Sequence, residues 1–134
     1  MRALPLRLQP GDDLRGALDA ALQQHGVQAA FVISGIGSLG AARLRLAGAA
    51  QPVALHGELE ILSLAGSLSP DGSHLHMAIA DAQGQMLGGH VAPGCTVRTT
   101  VEVLLAMLPE HRFARERDAR TGYAELVVRS QPPR

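Results

Sequence analysis

Residues 74–91 read HLHMAIADAQGQMLGGHV, and they are the most informative stretch of the chain for its fold. Two short segments rich in apolar residues flank the polar run at residues 80–85, a pattern that predicts two β-strands joined by a hairpin turn. Because successive side chains of a strand point to opposite faces, His74 and His76 are expected to lie on the same face.

The length of the turn decides where a third histidine lies. In a three-residue loop Asp81 pairs with Gln85, which places His76 directly opposite His90 and on the same face. A two-residue loop would shift the pairing by one residue and move His90 to the other face. Gly84 can adopt the left-handed conformation that the three-residue loop needs, so we expect the imidazoles to share one face.

Three imidazoles on one face form a candidate metal site. Three neutral histidines leave the fourth position of a tetrahedral zinc ion open, as in catalytic rather than structural zinc sites. Imidazole also suits copper, iron and nickel, but the open arrangement favours zinc. We therefore predict that His74, His76 and His90 bind one divalent metal, with water or a small anionic ligand in the fourth position. The alternative is that they are ordinary polar residues on an exposed face.

Three other residues are candidates for catalytic or supporting roles near such a metal. Glu58 and Glu60 share a strand face and could support the histidines or act as an acid or base. The alternative is a pair that is exposed to solvent or lies between subunits. Arg98 could bind a carboxylate ligand through two hydrogen bonds, and its alternative is a salt bridge at the surface or between subunits.

The remaining sequence predicts a strand-rich chain with one clear helix. Asp13 is an N-cap before Leu14, Leu18 and Leu22, which lie on one helical face, and Gly26 ends the helix. Strand-like patterns cover residues 3–8, 27–34, 41–46, 52–55, 58–68, 96–107 and 123–129. We therefore expect an α+β fold that is mainly antiparallel β-sheet flanked by one or two helices.

Three further features predict structure rather than a functional site. Residues 35–40 read GIGSLG and precede another strand-like run, so they predict a tight turn and not a phosphate-binding loop. Residues 112–120 contain four arginines interleaved with Glu116 and Asp118, which is typical of a solvated segment and not of a DNA-binding patch. Cys95 is the one cysteine, which excludes an internal disulfide, and it is expected to be a small buried side chain.

Composition limits the number of domains and the classes of partner. A length of 134 residues suits one domain that spans residues 1–134. Twelve arginines, with no lysine, balance twelve acidic residues, and this zero net charge disfavours binding driven by neutralising DNA phosphates. The first ten residues carry two arginines and no continuous apolar core, so we expect neither a signal peptide nor a membrane span, and a cytoplasmic protein.

Several motifs, taken together, resemble the PPC domain (plants and prokaryotes conserved domain) family. They are GDDL at 11–14, SGIGSL at 34–39, GELEILSLAGSL at 57–68, DG at 71–72 and GGH at 88–90. The resemblance covers about residues 4–128. It implies an antiparallel sheet flanked by helices, assembly as a homotrimer, and membership of a family labelled DNA-binding.

The same resemblance bears on DNA binding. In plants the domain is joined to AT-hook segments that bind the DNA minor groove, while the domain itself mediates assembly and partner binding. No Arg-Gly-Arg-Pro sequence occurs in this chain, so we expect the isolated domain to bind DNA weakly or not at all.

A second resemblance is local and covers only the histidine hairpin. The hairpin is similar to the zinc-binding strands of acetolactate decarboxylase, whose fold is related to the PPC domain. This resemblance implies that His74, His76 and His90 are zinc ligands. The other catalytic groups of that enzyme, an arginine and glutamates, have no matching motif here.

Two classes of function follow from these observations. The family resemblance implies a homotrimeric assembly or regulatory module. The long apolar run at residues 59–68 agrees with assembly, because a domain of this size cannot cover both faces of its sheet with one clear helix. The histidines imply a zinc-dependent small-molecule-binding protein or enzyme. The metal content of the purified protein would discriminate between the two.

Overall fold

A computed structural model describes residues 1–132, so the last two residues of the predicted 1–134 domain lie outside the described residues. The elements in chain order are β1 (Arg2–Leu8), α1 (Leu14–Gln24), β2 (Ala30–Arg45), β3 (Val53–Leu68), β4 (His74–Ala80), β5 (Met86–Val91), β6 (Thr96–Met107), β7 (His111–Arg117) and β8 (Ala124–Ser130). The strands pair antiparallel throughout, which confirms the predicted α+β fold dominated by antiparallel sheet.

Six strands form the main sheet in the order β1-β6-β2-β3-β4-β5. The end of β2 also pairs with β5, through Leu44 opposite Val91 and Arg45 opposite His90. This extra pairing closes β2, β3, β4 and β5 into a ring of strands and brings the histidine hairpin against β2. Within the described part of the chain, the remaining strands β7 and β8 pair with each other alone and form a separate hairpin.

The helix forms where the sequence predicts it and packs on the sheet. The Asp13 side chain accepts from the Gly16 amide, which caps the first turn. Leu14, Leu18 and Leu22 are buried in one core with the inward-facing side chains of the six-stranded sheet. Among residues 1–132, no helix is both long and apolar enough to cross a membrane.

The turn predicted at residues 35–40 is wrong, because β2 runs without interruption from Ala30 to Arg45. Its glycines serve close strand packing instead of chain reversal. A Cβ on Gly37 would lie 2.6 Å from the Cα of Val101, and this glycine has a φ of 149°. The pairing of β2 with β6 shifts register on either side of this position. Glycines within a strand therefore mark bulges and close backbone approach here, a known alternative to a turn.

Other predicted segments also prove to be parts of longer strands. The short strands predicted at 41–46 and 52–55 are the ends of the long strands β2 and β3, which a brief connection joins. The segment at 112–120, predicted to be solvated and charged, lies largely in β7, where Phe113 is buried, Arg115 is half-buried, and Arg112 and Arg117 are exposed. Residues 96–107 form one strand, as predicted, and Cys95 beside it is fully buried, as expected.

Candidate metal centre

The β4–β5 hairpin has the three-residue loop predicted from the sequence. The Asp81 amide donates to the Gln85 carbonyl, and the Gly84 amide donates to the Asp81 carbonyl, both at 2.9 Å. Gly84 has a φ of 80°, a left-handed conformation that glycine adopts without steric cost. The Asp81 carboxylate also accepts from the Gln85 amide at 2.9 Å. The resulting pairing places His76 directly opposite His90.

The three imidazoles lie together on one face of the hairpin. One ligand nitrogen from each of His74, His76 and His90 lies within 4.8 Å of the others. His76 Nε2 and His90 Nδ1 are 3.1 Å apart, and the rings of His74 and His90 stack with centroids 5.4 Å apart. Nitrogens that bind a tetrahedral zinc at about 2.0–2.1 Å lie about 3.3 Å from one another. The His76–His90 spacing is close to that value, and the His74 ligand nitrogen lies within 4.8 Å of the other two, so the residues fit zinc.

The electrostatic environment favours the neutral form of two of these histidines. Burial lowers the pKa of His74 below its ordinary value, and the charges of Arg115, His76, His90 and Arg15 lower it further. Burial also lowers the pKa of His90, with added effects of Arg45 and His76. A metal binds the neutral imidazole, so these shifts make both side chains ready for ligation near pH 7.

His74 and His90 border a cleft of about 1070 Å³. Three half-buried arginines also line it, Arg15 from α1, Arg45 from β2 and Arg115 from β7. Arg45 is directly opposite His90 in the β2–β5 pairing. The imidazoles that could hold a metal are therefore at the edge of a space lined with cationic side chains.

Arg98, the arginine predicted to bind a carboxylate, is in a different place. Its guanidinium donates to Glu58 Oε1 at 3.0 Å, and both side chains are exposed. This pair is the surface salt bridge that the sequence left open as the alternative role of Arg98. The cleft beside the histidines is lined by Arg15, Arg45 and Arg115 instead.

The structure does not bring Glu58 or Glu60 to the histidines of the same chain. On β3, Glu60 is opposite Ala80, whereas the residue opposite His76 is Ala65. Five residues of strand separate these two positions, or about 16 Å at 3.3 Å per residue. A catalytic role for either glutamate at this metal stays a prediction that needs a second copy of the chain to supply the carboxylate.

Sequence reasoning missed Arg15, Arg45 and Arg115 because nothing in their local sequence sets them apart. Each lies on a different element, and only the tertiary arrangement places them along one cleft. Arg45 could have been found only from the pairing of β2 with β5, two strands about 45 residues apart in the chain. Cys95 is buried, burial raises the pKa of its thiol, and it has no place in this site.

Comparison with known proteins identifies the family. Residues 1–109 match the model of the Plants and Prokaryotes Conserved (PCC) domain, the family that the sequence motifs resemble. The bifunctional protein GlmU of Synechococcus sp. (strain JA-3-3Ab) is 50% identical over 137 residues, which cover 99% of this chain and 22% of GlmU. The chain thus spans about a fifth of the length of this curated relative.

Solved structures show the same fold over nearly the full chain. A hypothetical protein from Salmonella has a TM-score of 0.94 with 44% identity, covering 98% of this chain and 95% of its own. A metal-containing protein from Archaeoglobus fulgidus has a TM-score of 0.79 with 27% identity, covering 95% and 94%. A protein from Bacteroides thetaiotaomicron that is provisionally named as DNA-binding has a TM-score of 0.83 with 20% identity, covering 93% and 91%.

These matches and the sequence motifs agree with one another, and the fold predicted from the resemblance is the fold observed. The chain belongs to the Plants and Prokaryotes Conserved domain family.

Proposed function

We propose that this protein holds one divalent metal ion, zinc, on His74, His76 and His90, and binds a small molecule at the open position of that metal. The observation that carries the proposal is the convergence of the three ligand nitrogens within 4.8 Å at the edge of a cleft. The metal-containing relative from Archaeoglobus fulgidus, 27% identical and alike in fold, supports it.

The chain's own residues divide the work at such a site. The three imidazoles would hold the ion, and the lowered pKa of His74 and His90 keeps those two side chains neutral for the purpose. When bound, zinc polarises a carbonyl group or lowers the pKa of a bound water. Among residues 1–132, no carboxylate joins the histidine cluster, so the proposal is ligand binding and does not extend to the reaction of acetolactate decarboxylase.

Elemental analysis of the purified protein tests the metal. We expect close to one zinc per chain after loading and removal of free ion, and tight binding of cobalt with the intense visible absorption of a tetrahedral site. A protein that retains no zinc after loading would refute the proposal. Because copper binds most nitrogen sites more tightly than zinc, the choice of ion is tested on protein purified without loading, and nickel or copper retained there in place of zinc would keep the site and overturn that choice.

A second function, assembly as a homotrimer, is favoured by a separate observation. The neighbouring strands β2 and β3 expose large apolar side chains, namely Phe31 at 42%, Ile33 at 52%, Ile36 at 52% and Leu62 at 48%. Several large apolar side chains exposed on neighbouring strands are typical of a surface that a protein partner covers. We propose that second and third copies of the chain cover it, in line with the trimer that the family resemblance implies.

Light scattering or sedimentation at micromolar concentration tests the assembly. We expect a mass of three chains for the wild type and a smaller species for Ile33→Glu. Met86→Glu is the matched control, because Met86 is an exposed apolar side chain on β5 and not on the β2–β3 surface. A monomeric wild type, or a trimer that tolerates glutamate at Ile33, would refute the proposal.

For DNA, we propose that the isolated domain binds a duplex weakly or not at all at physiological salt. Its formal net charge is zero, and positive and negative side chains are equal in number. The DNA-binding name of the Bacteroides relative belongs to a protein only 20% identical, which supports a shared fold. Nanomolar binding of a duplex in a fluorescence anisotropy titration would overturn this proposal.

A further inference from the structure

Three half-buried arginines line the cleft beside the histidines: Arg15, Arg45 and Arg115. They come from three separate elements, α1, β2 and β7, so the convergence is a property of the fold and not of a local arginine-rich sequence. The charges of Arg115 and Arg15 act on His74, and that of Arg45 acts on His90. Positive charge therefore accumulates next to the candidate metal site.

None of the three arginines has a carboxylate partner among residues 1–132. The ion pairs of these residues are Arg98–Glu58 and Arg129–Glu116. Each cleft arginine instead donates to one neutral oxygen: Arg15 to the Val91 carbonyl at 3.3 Å, Arg45 to the Ala49 carbonyl at 3.3 Å and Arg115 to Ser67 Oγ at 2.8 Å. A guanidinium has five N–H donors, so most donors of each side chain remain available.

Two acidic residues also line the cleft, and among residues 1–132 neither forms an ion pair with these arginines. Asp71 Oδ2 accepts from the backbone amide of Arg115 at 2.9 Å, which commits that oxygen to holding the loop before β4 against β7. Glu125 is an exposed residue of β8 that forms no ion pair among the described residues. Three cations thus face two anions before any metal is counted, and a divalent ion on the histidines would add two more positive charges.

From this arrangement we infer that Arg15, Arg45 and Arg115 form an oxyanion subsite, and that the molecule bound at the metal is a small organic acid or phosphate ester whose anionic group lies on these arginines. The inference rests on the proposed function for the role of the metal, but the arginine subsite exists whether or not the metal is bound. Planar guanidinium groups bind carboxylate and phosphate oxygens through paired, charge-assisted hydrogen bonds. A cleft of about 1070 Å³ has room for a small metabolite.

The test measures binding of two probes, inorganic phosphate and succinate, by calorimetry on both zinc-loaded and chelator-treated protein. We expect at least one probe to bind with a Kd of about 1 mM or below. Arg45→Gln and Arg115→Gln should each weaken that probe by about tenfold or more, since each removes a charged hydrogen-bond donor. Arg129→Gln is the matched control, because Arg129 is exposed, paired with Glu116 and outside the cleft, and it should bind like the wild type.

A measurement on the unaltered protein protects the test from a variant that does not fold. The side-chain Nε–Hε NMR signals of Arg15, Arg45 and Arg115 should shift as the bound probe is added, while that of Arg129 should stay in place. Absence of binding by both probes, or binding that shifts none of the three signals and is insensitive to both substitutions, would overturn the inference.

Comparison of zinc-loaded with chelator-treated protein distinguishes this inference from the proposed function. Arginine-dependent binding in protein that takes up no zinc would support the oxyanion subsite and refute the metal site. Zinc uptake with anion binding that ignores the arginines would do the reverse, because the anion would then be a ligand of the metal alone. Preference for succinate over phosphate, or the opposite, identifies which oxyanion the subsite accepts.

Discussion

The pair His74 and His76 and the pair Glu58 and Glu60 look alike in the sequence, but the fold treats them differently. Both pairs have two-residue spacing, and both lie on strands of the same sheet. The histidines are joined by a third ligand from the neighbouring strand, whereas Glu58 forms a surface ion pair with Arg98. Spacing fixes which side chains share a face, and the register of the next strand decides what they meet.

Strand β3 runs past both groups of residues. We call the part of β3 opposite His74 and His76 the histidine end, and the part that carries Glu58 and Glu60 the acid end. At the histidine end, Gly66 is opposite Leu75 and the strand lies against β4. At the acid end, Gly57 precedes Glu58. Both glycines have positive φ angles, 151° for Gly66 and 124° for Gly57, but only Gly66 is crowded.

The largest difference between the two ends should appear in Gly66→Ala and Gly57→Ala. A Cβ at residue 66 would overlap the carbonyl oxygen of His74 and lie 2.8 Å from the Cα of Leu75, both in backbone that cannot move freely. With strain and overpacking combined, we expect Gly66→Ala to lower the free energy of unfolding by about 3–5 kcal/mol. At Gly57 no atom of the described residues 1–132 lies within 4 Å of a Cβ, so only backbone strain applies, about 1–2 kcal/mol.

Urea denaturation followed by circular dichroism measures both values. The two variants control for each other, because each places the same methyl group on the same strand at a positive φ. Equal losses of stability would show that close approach of β4 to β3 does not define the histidine end.

The second prediction separates the two ends by metal affinity. His76→Ala removes one of three ligands, and we expect zinc affinity to fall by about 100-fold or more, beyond the usual effect of losing a residue that only supports a ligand. Glu58→Gln should leave zinc affinity unchanged. His56→Ala is a stricter control, since it removes an imidazole from β3 that is opposite Ala41 and outside the cluster. Competition with a zinc chelator of known affinity measures all four proteins, and a loss in His56→Ala that equals that of His76→Ala would refute the site.

The sequence was sufficient for the histidine hairpin because each decisive feature is local. Asp81, Gly84 and the spacing of the histidines determine the loop, the register and the shared face, and all lie within residues 74–91. The helix was likewise predictable, from the Asp13 cap and the spacing of Leu14, Leu18 and Leu22. Turn and cap hydrogen bonds join residues that are a few positions apart in the sequence, so these structures can be predicted without knowledge of tertiary contacts.

The features that the sequence did not reveal depend on contacts between distant segments. The glycines at residues 35–40 predict a turn because glycine favours turns, yet the approach of Val101 to Gly37 requires glycine in an unbroken strand. The cleft arginines become neighbours only when α1, β2 and β7 are placed in three dimensions. Arg98 is the first arginine after His90 in the sequence, but its side chain pairs with Glu58 at the acid end.

The third prediction is a pH dependence that only the histidine end should show. Because the pKa of His74 and His90 is lowered from 6.5, both are neutral near pH 7.5, and protons compete with the metal only as the pH falls below that ordinary value. We expect zinc affinity to be flat from about pH 7 upward and to fall progressively only below pH 6.5, the ordinary value from which both pKa values are lowered. Calorimetry in buffers of different ionisation enthalpy should show proton release on zinc binding in the same acid range. An affinity that stays constant over the whole acid range in which the protein is folded would contradict ligation by these imidazoles.

The smallest effect is expected for the ion pair at the acid end. Arg98 and Glu58 are 3.0 Å apart, with side chains 40% and 68% exposed. An exposed pair gains little over its separate hydration, so a double-mutant cycle of Arg98→Gln and Glu58→Gln should give a coupling of about 0.2–1 kcal/mol that weakens with salt. The Arg129–Glu116 pair, 2.7 Å apart and 47% and 51% exposed, is the matched control and should behave in the same way.

This last measurement also tests what surrounds the acid end in solution. If a second copy of the chain covers Glu58, water is excluded and removal of one partner leaves the other charge buried and unpaired, which costs about 3–5 kcal/mol. A coupling above about 1.5 kcal/mol at Arg98–Glu58, with none at Arg129–Glu116, would contradict the exposure seen in the single chain. It would place the acid end inside the assembly, and repeating the cycle below the concentration at which the assembly dissociates should return the coupling to the surface value.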